Sequence, residues 1–102
     1  MSAGQSAFKA LADPTRRAIL KLLAQKEMSA GDIAAHFPMT KATLSHHLAV
    51  LKEAELVTVR REAQTLWYML HTTVLQEVVA WAMEIAPNAQ RARRRKSAAR
   101  IT

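Results

Sequence analysis

The chain has 102 residues, with fifteen Lys plus Arg against eight Asp plus Glu, a formal net charge of +7, two glycines, three prolines and no cysteine. That length holds one modest hydrophobic core, which excludes two independent domains and a Rossmann or barrel enzyme, and the missing cysteines exclude disulfides, thiolate metal sites and thiol redox sensing. Half of the residues are apolar, but 20 of those 51 are alanine, so the chain is expected to be mostly helical.

Phe8, Leu11 and Ala12 share one face of a short first helix that ends before Asp13. Asp13-Pro14 pairs an N-cap with a first-turn proline and starts a helix running to about Gln25. Its inner face is Ile19, Leu22 and Leu23, with Arg16, Arg17 and Lys21 mostly outward. Ser29 and Asp32 resemble a capping box opening a short helix whose inner face is Ala30, Ile33, Ala34 and Phe37. Pro38 stops it. Thr40 caps the next helix, which carries Leu44, Leu48 and Leu51 at spacings of four and three and continues to Ala54. Two short helices joined by Phe37-Pro38-Met39 make a helix-turn-helix candidate.

Beyond Ala54 the pattern changes to strands. Leu56 to Arg61 and Leu66 to Leu70 are β-branched and aromatic runs separated by Glu62-Ala63-Gln64-Thr65, and they read as a hairpin. A last helix starts at Thr72 or Thr73 and ends at Ala86. One of its stripes is Val74, Val78, Trp81, Ala82 and Ile85; a second is Leu75, Val79 and Met83. A helix apolar over more than half its circumference must bury two surfaces. In so small a domain the second is most simply a copy of itself, so a homodimer is expected; the competing reading sinks the helix in the chain's own core.

Charge divides the chain. Residues 1–86 hold nine basic and eight acidic residues, whereas residues 87–102 hold Arg91, Arg93, Arg94, Arg95, Lys96 and Arg100 and no acid. Residues 1–86, with the composition of an ordinary globular domain, are therefore expected to form one domain, and residues 87–102 a basic tail that is disordered when free. The tail should add sequence-independent affinity for nucleic acid; the competing reading makes it a solubilising appendage. The longest apolar run, Val78 to Met83, is far short of a membrane span, and the first fifteen residues lack a basic start followed by an apolar block. A cytoplasmic protein without membrane contact is expected.

The element order, mainly α with a small β-hairpin (α-α-α-α-β-β-α), is that of a winged helix-turn-helix, in which the second helix of the motif enters the DNA major groove. The residues themselves then resemble a family. Phe8-Lys9-Ala10-Leu11-Ala12-Asp13-Pro14-Thr15-Arg16-Arg17, Ser45-His46-His47-Leu48-Ala49-Val50-Leu51 and the Leu56-Val57 opening the wing are similar to the ArsR family of bacterial repressors. Glu53-Ala54-Glu55-Leu56-Val57, and Thr72 to Val78 leading to Trp81, resemble more narrowly its autorepressor, SdpR-like branch. The resemblance covers about residues 6–86 and implies a dimeric winged helix-turn-helix that represses by binding an operator.

The departures also carry information. Where many family members have a Cys pair, this chain has Ser29-Ala30-Gly31-Asp32. Where others bind zinc between final helices, Thr73 to Ala86 offers only Glu77 and Glu84, without the nitrogen or sulfur ligands that zinc prefers. No metal and no cofactor are expected. Glu55 replaces the family's usual glycine, and the wing tip Ala63-Gln64-Thr65 lacks the common Gly and Arg, which implies weaker wing contacts to phosphate.

With Leu44, Leu48 and Leu51 as the buried line, the step of about 100° per residue turns Ala42, Ser45, His46 and Ala49 outward. Ser45 and His46 are assigned to base edges, Ala42 to a thymine methyl, Thr43 to bases or nearby phosphate, and Thr40 and Lys41 to phosphate. Arg16, Arg17, Arg60 and Arg61 are further phosphate candidates, each weighed against a simple solvated charge. His47, about 60° from the leucine line, is a boundary residue packing on the core; neighbouring histidines make a poor metal pair. The expected dimer face is Phe8, Leu11, Val74, Leu75, Val78, Val79, Trp81 and Met83.

The expected function is therefore a sequence-specific repressor that binds a palindromic operator in double-stranded DNA as a dimer, autoregulatory and not metal-sensing. Two rivals remain: a nucleic-acid-coating protein driven by the tail, and a winged-helix protein-interaction module. An enzyme is the weakest class, with no Gly-rich phosphate loop and no evident carboxylate pair in a cleft. The residues leave open whether a partner protein, a small molecule or concentration alone relieves repression.

Overall fold

A computed structural model describes residues 3–88, with side chains from residue 5; the tail from residue 89 onward, and its expected disorder, lie outside the described residues. The elements are α1 (Ala3–Leu11), α2 (Pro14–Leu23), β1 (Met28–Ser29), α3 (Ala30–Ala34), α4 (Lys41–Glu53), β2 (Val57–Glu62), β3 (Thr65–Leu70) and α5 (Thr72–Ile85). Asp13 is the α2 cap: its Oδ1 accepts from the Thr15 N–H at 2.7 Å and the Arg16 N–H at 3.1 Å, and Pro14 takes the first helical position, where no N–H is needed. Helix α2 ends at Leu23, with a tightened last turn in which the Gln25 N–H reaches the Leu22 carbonyl at 3.0 Å.

Helix α3 ends at Ala34, short of the expected Phe37, and the inner faces of α1 and α2 also differ from the sequence expectation. Helix α1 buries Ala7 and Ala10, while Phe8 and Ala12 are exposed and Leu11 is half-buried. Three helices, α2, α4 and α5, pack on α1, and alanines three residues apart let them approach closely where a phenylalanine would hold them off. Phe8 turns instead onto Trp81, with ring centroids 4.9 Å apart. In α2 the buried set is Ile19, Leu20 and Leu23, with Leu22 only half-buried.

Strand β1 has no counterpart in the sequence reading. Two residues show no period, and their partner lies far along the chain: Met28 pairs with Tyr68 and Ser29 with Trp67. The expected hairpin is therefore part of a three-stranded antiparallel sheet of order β1-β3-β2. Its turn is shorter than expected, because Glu62 and Thr65 pair and leave only Ala63-Gln64 between the strands. Ala63 carries φ 54, a left-handed value that a two-residue hairpin turn demands and that glycine adopts without strain.

Ser29 ends β1 and caps α3, its Oγ accepting from the Asp32 N–H at 3.1 Å. Thr40 caps α4 as expected, accepting from the Thr43 N–H at 3.1 Å. At the far end of α4 the Glu55 N–H bonds to the Lys52 carbonyl at 2.9 Å and the Leu56 N–H to the Leu51 carbonyl at 3.0 Å, while Glu55 sits at φ 61. That is a Schellman stop, sealed by the fully buried Leu51 and Leu56. The His71 Nδ1–H donates to the Glu55 carbonyl at 3.1 Å, so the start of α5 is fastened to the end of α4.

The core gathers Ala7, Ala10, Ile19, Leu20, Leu23, Met28, Ile33, Leu44, Leu48, Leu51, Ala54, Leu56, Val57 and Val74. Among the described residues no polar or charged side chain is buried, and no helix is long and apolar enough to cross a membrane. Helix α5 contributes Val74 to this core, with Leu75 and Val78 half-buried against it. The rest of both its apolar stripes is exposed: Val79 at 55%, Trp81 at 50%, Met83 at 40% and Ile85 at 64%, with Ala82. The helix is therefore not sunk in the chain's own core.

Candidate nucleic-acid interface

Helix α4 is fixed from beneath by Leu44, Leu48 and Leu51, all buried. The opposite side is open: Lys41, Ala42, Thr43, Ser45, His46 and Ala49 are exposed. The four base-reading candidates Ala42, Thr43, Ser45 and His46 thus share the accessible side of one rigid helix. Thr40 is exposed as well as capping, and its hydroxyl also donates to the Thr43 hydroxyl at 2.9 Å, which orients Thr43 at the start of the helix. Free first-turn N–H groups and the helix dipole make this end receptive to an anion.

The cations divide into free and engaged. Lys41, Arg17 and Arg61 are exposed, although Arg17 also donates to the Leu11 carbonyl at 2.7 Å. Arg16 is not outward as the sequence suggested. It is half-buried, with Nε donating to the Ala10 carbonyl at 2.7 Å and Nη2 to the Lys9 carbonyl at 3.2 Å. Its remaining arm lies 3.2 Å from His47 Nδ1. These bonds close the carbonyl end of α1, which a chain without a glycine there leaves to a side chain. Arg60 lies 2.7 Å from Glu27 and 3.4 Å from Glu62, with its guanidinium 5.9 Å from the Trp67 ring centre. Much of its charge is compensated on the wing itself.

His47 is half-buried, the boundary position expected of it, and His46 is exposed with its ring centre 5.8 Å from that of His47. His36 is exposed, and His71 is spent on the Glu55 carbonyl. Among the described residues no three of His, Cys, Asp and Glu come together. The Asp13 carboxyl is held below its ordinary value, chiefly by the Arg16 N–H, then by the Thr15 N–H, by His47 once it is protonated and by the Arg16 charge, against partial desolvation. Burial pushes the Tyr68 phenol above its ordinary value.

Beside the reading face runs an open groove of about 500 Å³ between α3, α4 and β3, lined on α4 by Lys41, Leu44, Ser45, Leu48, Ala49 and Lys52. Lys52 had not been singled out from the sequence. The signal was present, since Lys41, Ser45, Leu48 and Lys52 follow one another at spacings of four, three and four and so form one stripe. Of the residues expected at a dimer face, Val74 is spent on its own core and Leu11, Leu75 and Val78 are half-buried against it. Phe8, Val79, Trp81 and Met83 remain exposed, joined by Ile85.

A helix-turn-helix whose second helix buries its leucines and offers a polar side, followed by a sheet-based wing, defines a winged helix-turn-helix of the DNA-binding regulators. Residues 13–59, from the cap of α2 into β2, match the model of the bacterial regulatory protein arsR family. The chain is 51% identical over 76 residues to the transcriptional repressor SdpR of Bacillus subtilis, covering 74% of this chain and 84% of that protein. It is 39% identical over 72 residues to the arsenical resistance operon repressor of Staphylococcus aureus, covering 71% and 69%. The crystal structure of an ArsR family transcriptional regulator superposes with a TM-score of 0.74 at 26% identity, covering 78% of this chain and 82% of that one. The chain belongs to the ArsR family of bacterial transcription regulators.

Proposed function

We propose that this regulator is a homodimeric, sequence-specific repressor that reads a palindromic operator, including one before its own gene, and that metal does not control it. The observation that carries the reading is the exposure of Ala42, Thr43, Ser45 and His46 along α4, held in place by three buried leucines. Ser45 and His46 take base edges, Ala42 a thymine methyl, and Thr43 a base or the adjoining phosphate. Thr40, Lys41, Arg17 and Arg61 take phosphates, Lys52 extends that line along the groove, and Arg60 contributes weakly because Glu27 and Glu62 already neutralise it. The exposed face of Phe8, Val79, Trp81, Met83 and Ile85 joins two copies. The repressor names of the two curated relatives support the direction of control.

Titrating the full chain onto duplexes from its own upstream region tests this. One duplex should be retarded in preference to random DNA, and His46→Ala or Ser45→Ala should lower that preference by about 1–3 kcal/mol while random binding holds. Equal losses on both DNAs would remove the base-reading assignment. Added zinc should leave operator affinity unchanged; a loss of about tenfold, or 1.4 kcal/mol, would make this a metal sensor.

A further inference from the structure

Arg16 has the address of a phosphate contact but not the freedom of one. Two of its donors hold α1 carbonyls at 2.7 and 3.2 Å, and the third arm points at His47 Nδ1 at 3.2 Å. Chemistry settles the direction of that last bond. A guanidinium has only donors and stays charged, so the histidine must accept through an unprotonated Nδ1, with its proton on Nε2. His47 adjoins His46, the residue assigned to base reading.

We propose that Arg16 and His47 are a positioning pair that ties the reading helix α4 to the end of α1, and that the tie needs a neutral His47. This rests on the DNA-reading role of α4 proposed above. Protonating His47 removes the acceptor and sets two cations 3.2 Å apart. Arg16 cannot withdraw, because its other donors keep it on Ala10 and Lys9. The imidazole therefore swings away from Arg16, and its packing beside the His46 ring changes with it. From α2, His47 is faced by Arg16 and by the cap carboxylate Asp13, whose oxygen is already shared between the Thr15 and Arg16 N–H groups. From α1 the nearby charged residue is the exposed Lys9; on α4 it is His46; β2 carries Arg60, Arg61 and Glu62 further along the wing, with Arg60 bound to Glu27.

Two measurements on the full chain decide it. Nitrogen-detected NMR of the free protein should show neutral His47 as the Nε2–H tautomer; an Nδ1–H tautomer would overturn the contact, whether or not any duplex binds. Operator and random-DNA affinities are then compared as functions of salt and pH, with His46 kept, so that any proton it takes up is common to the wild-type and His47→Asn proteins. Arg16→Ala and His47→Ala should each cut operator preference by about tenfold, with no further loss in the double variant and an unchanged salt slope. If Arg16→Ala instead weakens both DNAs alike and lowers the slope by about one, Arg16 is a phosphate ligand and the proposal fails. Acidification should erase more of the preference in the wild-type protein than in His47→Asn, which keeps an acceptor near the Nδ1 position and cannot protonate; equal losses in the two would overturn the proposal. Arg16→Lys, which keeps the charge without the fork, serves where Arg16→Ala fails to fold and should behave like it. A His47→Asn protein as impaired as His47→Ala at neutral pH would overturn the proposal.

Discussion

Helices α4 and α5 are nearly equal in length, 13 and 14 residues, yet they settle their apolar side chains differently. Helix α4 has a modest apolar complement and buries all of its leucines; what it leaves outside is small or polar, with Lys41 and Lys52 against a single acid, Glu53, at its end. Helix α5 is far more apolar, and it buries Val74 while leaving Val79, Trp81, Met83 and Ile85 at 40–64% exposure. One helix is complete within a single copy and needs a polar, anionic partner on its outer side. The other is incomplete and needs an apolar one, which in the function proposed above is a second copy of the same face.

The largest effect expected from separating the two regions is at the base of α4. Leu51→Ala, at a position with 0% exposure, should cost about 2–5 kcal/mol in urea unfolding, because α4 shares the core with α1, α2 and β2. A loss below about 1 kcal/mol would mean that α4 is not anchored as described. Next comes the outer face of α5. Ile85→Asp or Trp81→Asp should shift the protein from dimer to monomer in sedimentation, with dimerisation weakened by at least about 2 kcal/mol and the helical circular dichroism retained. An unchanged dimer would place the interface elsewhere.

A smaller effect should sharpen the contrast at the stop of α4. Glu55 at φ 61 and Ala63 at φ 54 both sit where an L side chain is strained, so Glu55→Gly and Ala63→Gly should each raise stability by up to about 1 kcal/mol. Destabilisation at both would contradict the strained backbone. The smallest is a pH effect at the α2 cap. With its folded-state acidity strengthened, the Asp13 carboxylate contributes stability above its unfolded pKa that is lost as pH falls through the lower folded value. In acid titration monitored by circular dichroism, Asp13→Asn should flatten the part of the curve below the ordinary carboxylate value; an unchanged curve would show that the cap carries no such linkage.

How much was legible follows the same division. The α4 reading came directly from Thr40 and the leucine spacing, since capping and a one-sided period are local properties and the structure keeps both. Asp13-Pro14 was equally local. Strand β1 was not, because its pairing with Tyr68 and Trp67 joins positions some forty residues apart through backbone groups that any sequence possesses. On α1, size alone points to Phe8 as the inner residue, whereas three crowded neighbouring helices favour Ala7 and Ala10. Helix phase points Arg16 outward and says nothing of a long side chain folding back onto the carbonyls of the preceding helix.

The central claim is that two copies joined through α5 present two α4 helices to one operator. Hydroxyl-radical footprinting of the wild-type protein on its own upstream duplex tests it most directly. Two protected patches are expected on one face of the DNA, centred about one helical turn of 10–10.5 base pairs apart, both weakened together in Ile85→Asp. A single patch, or protection spread evenly along the duplex, would contradict it.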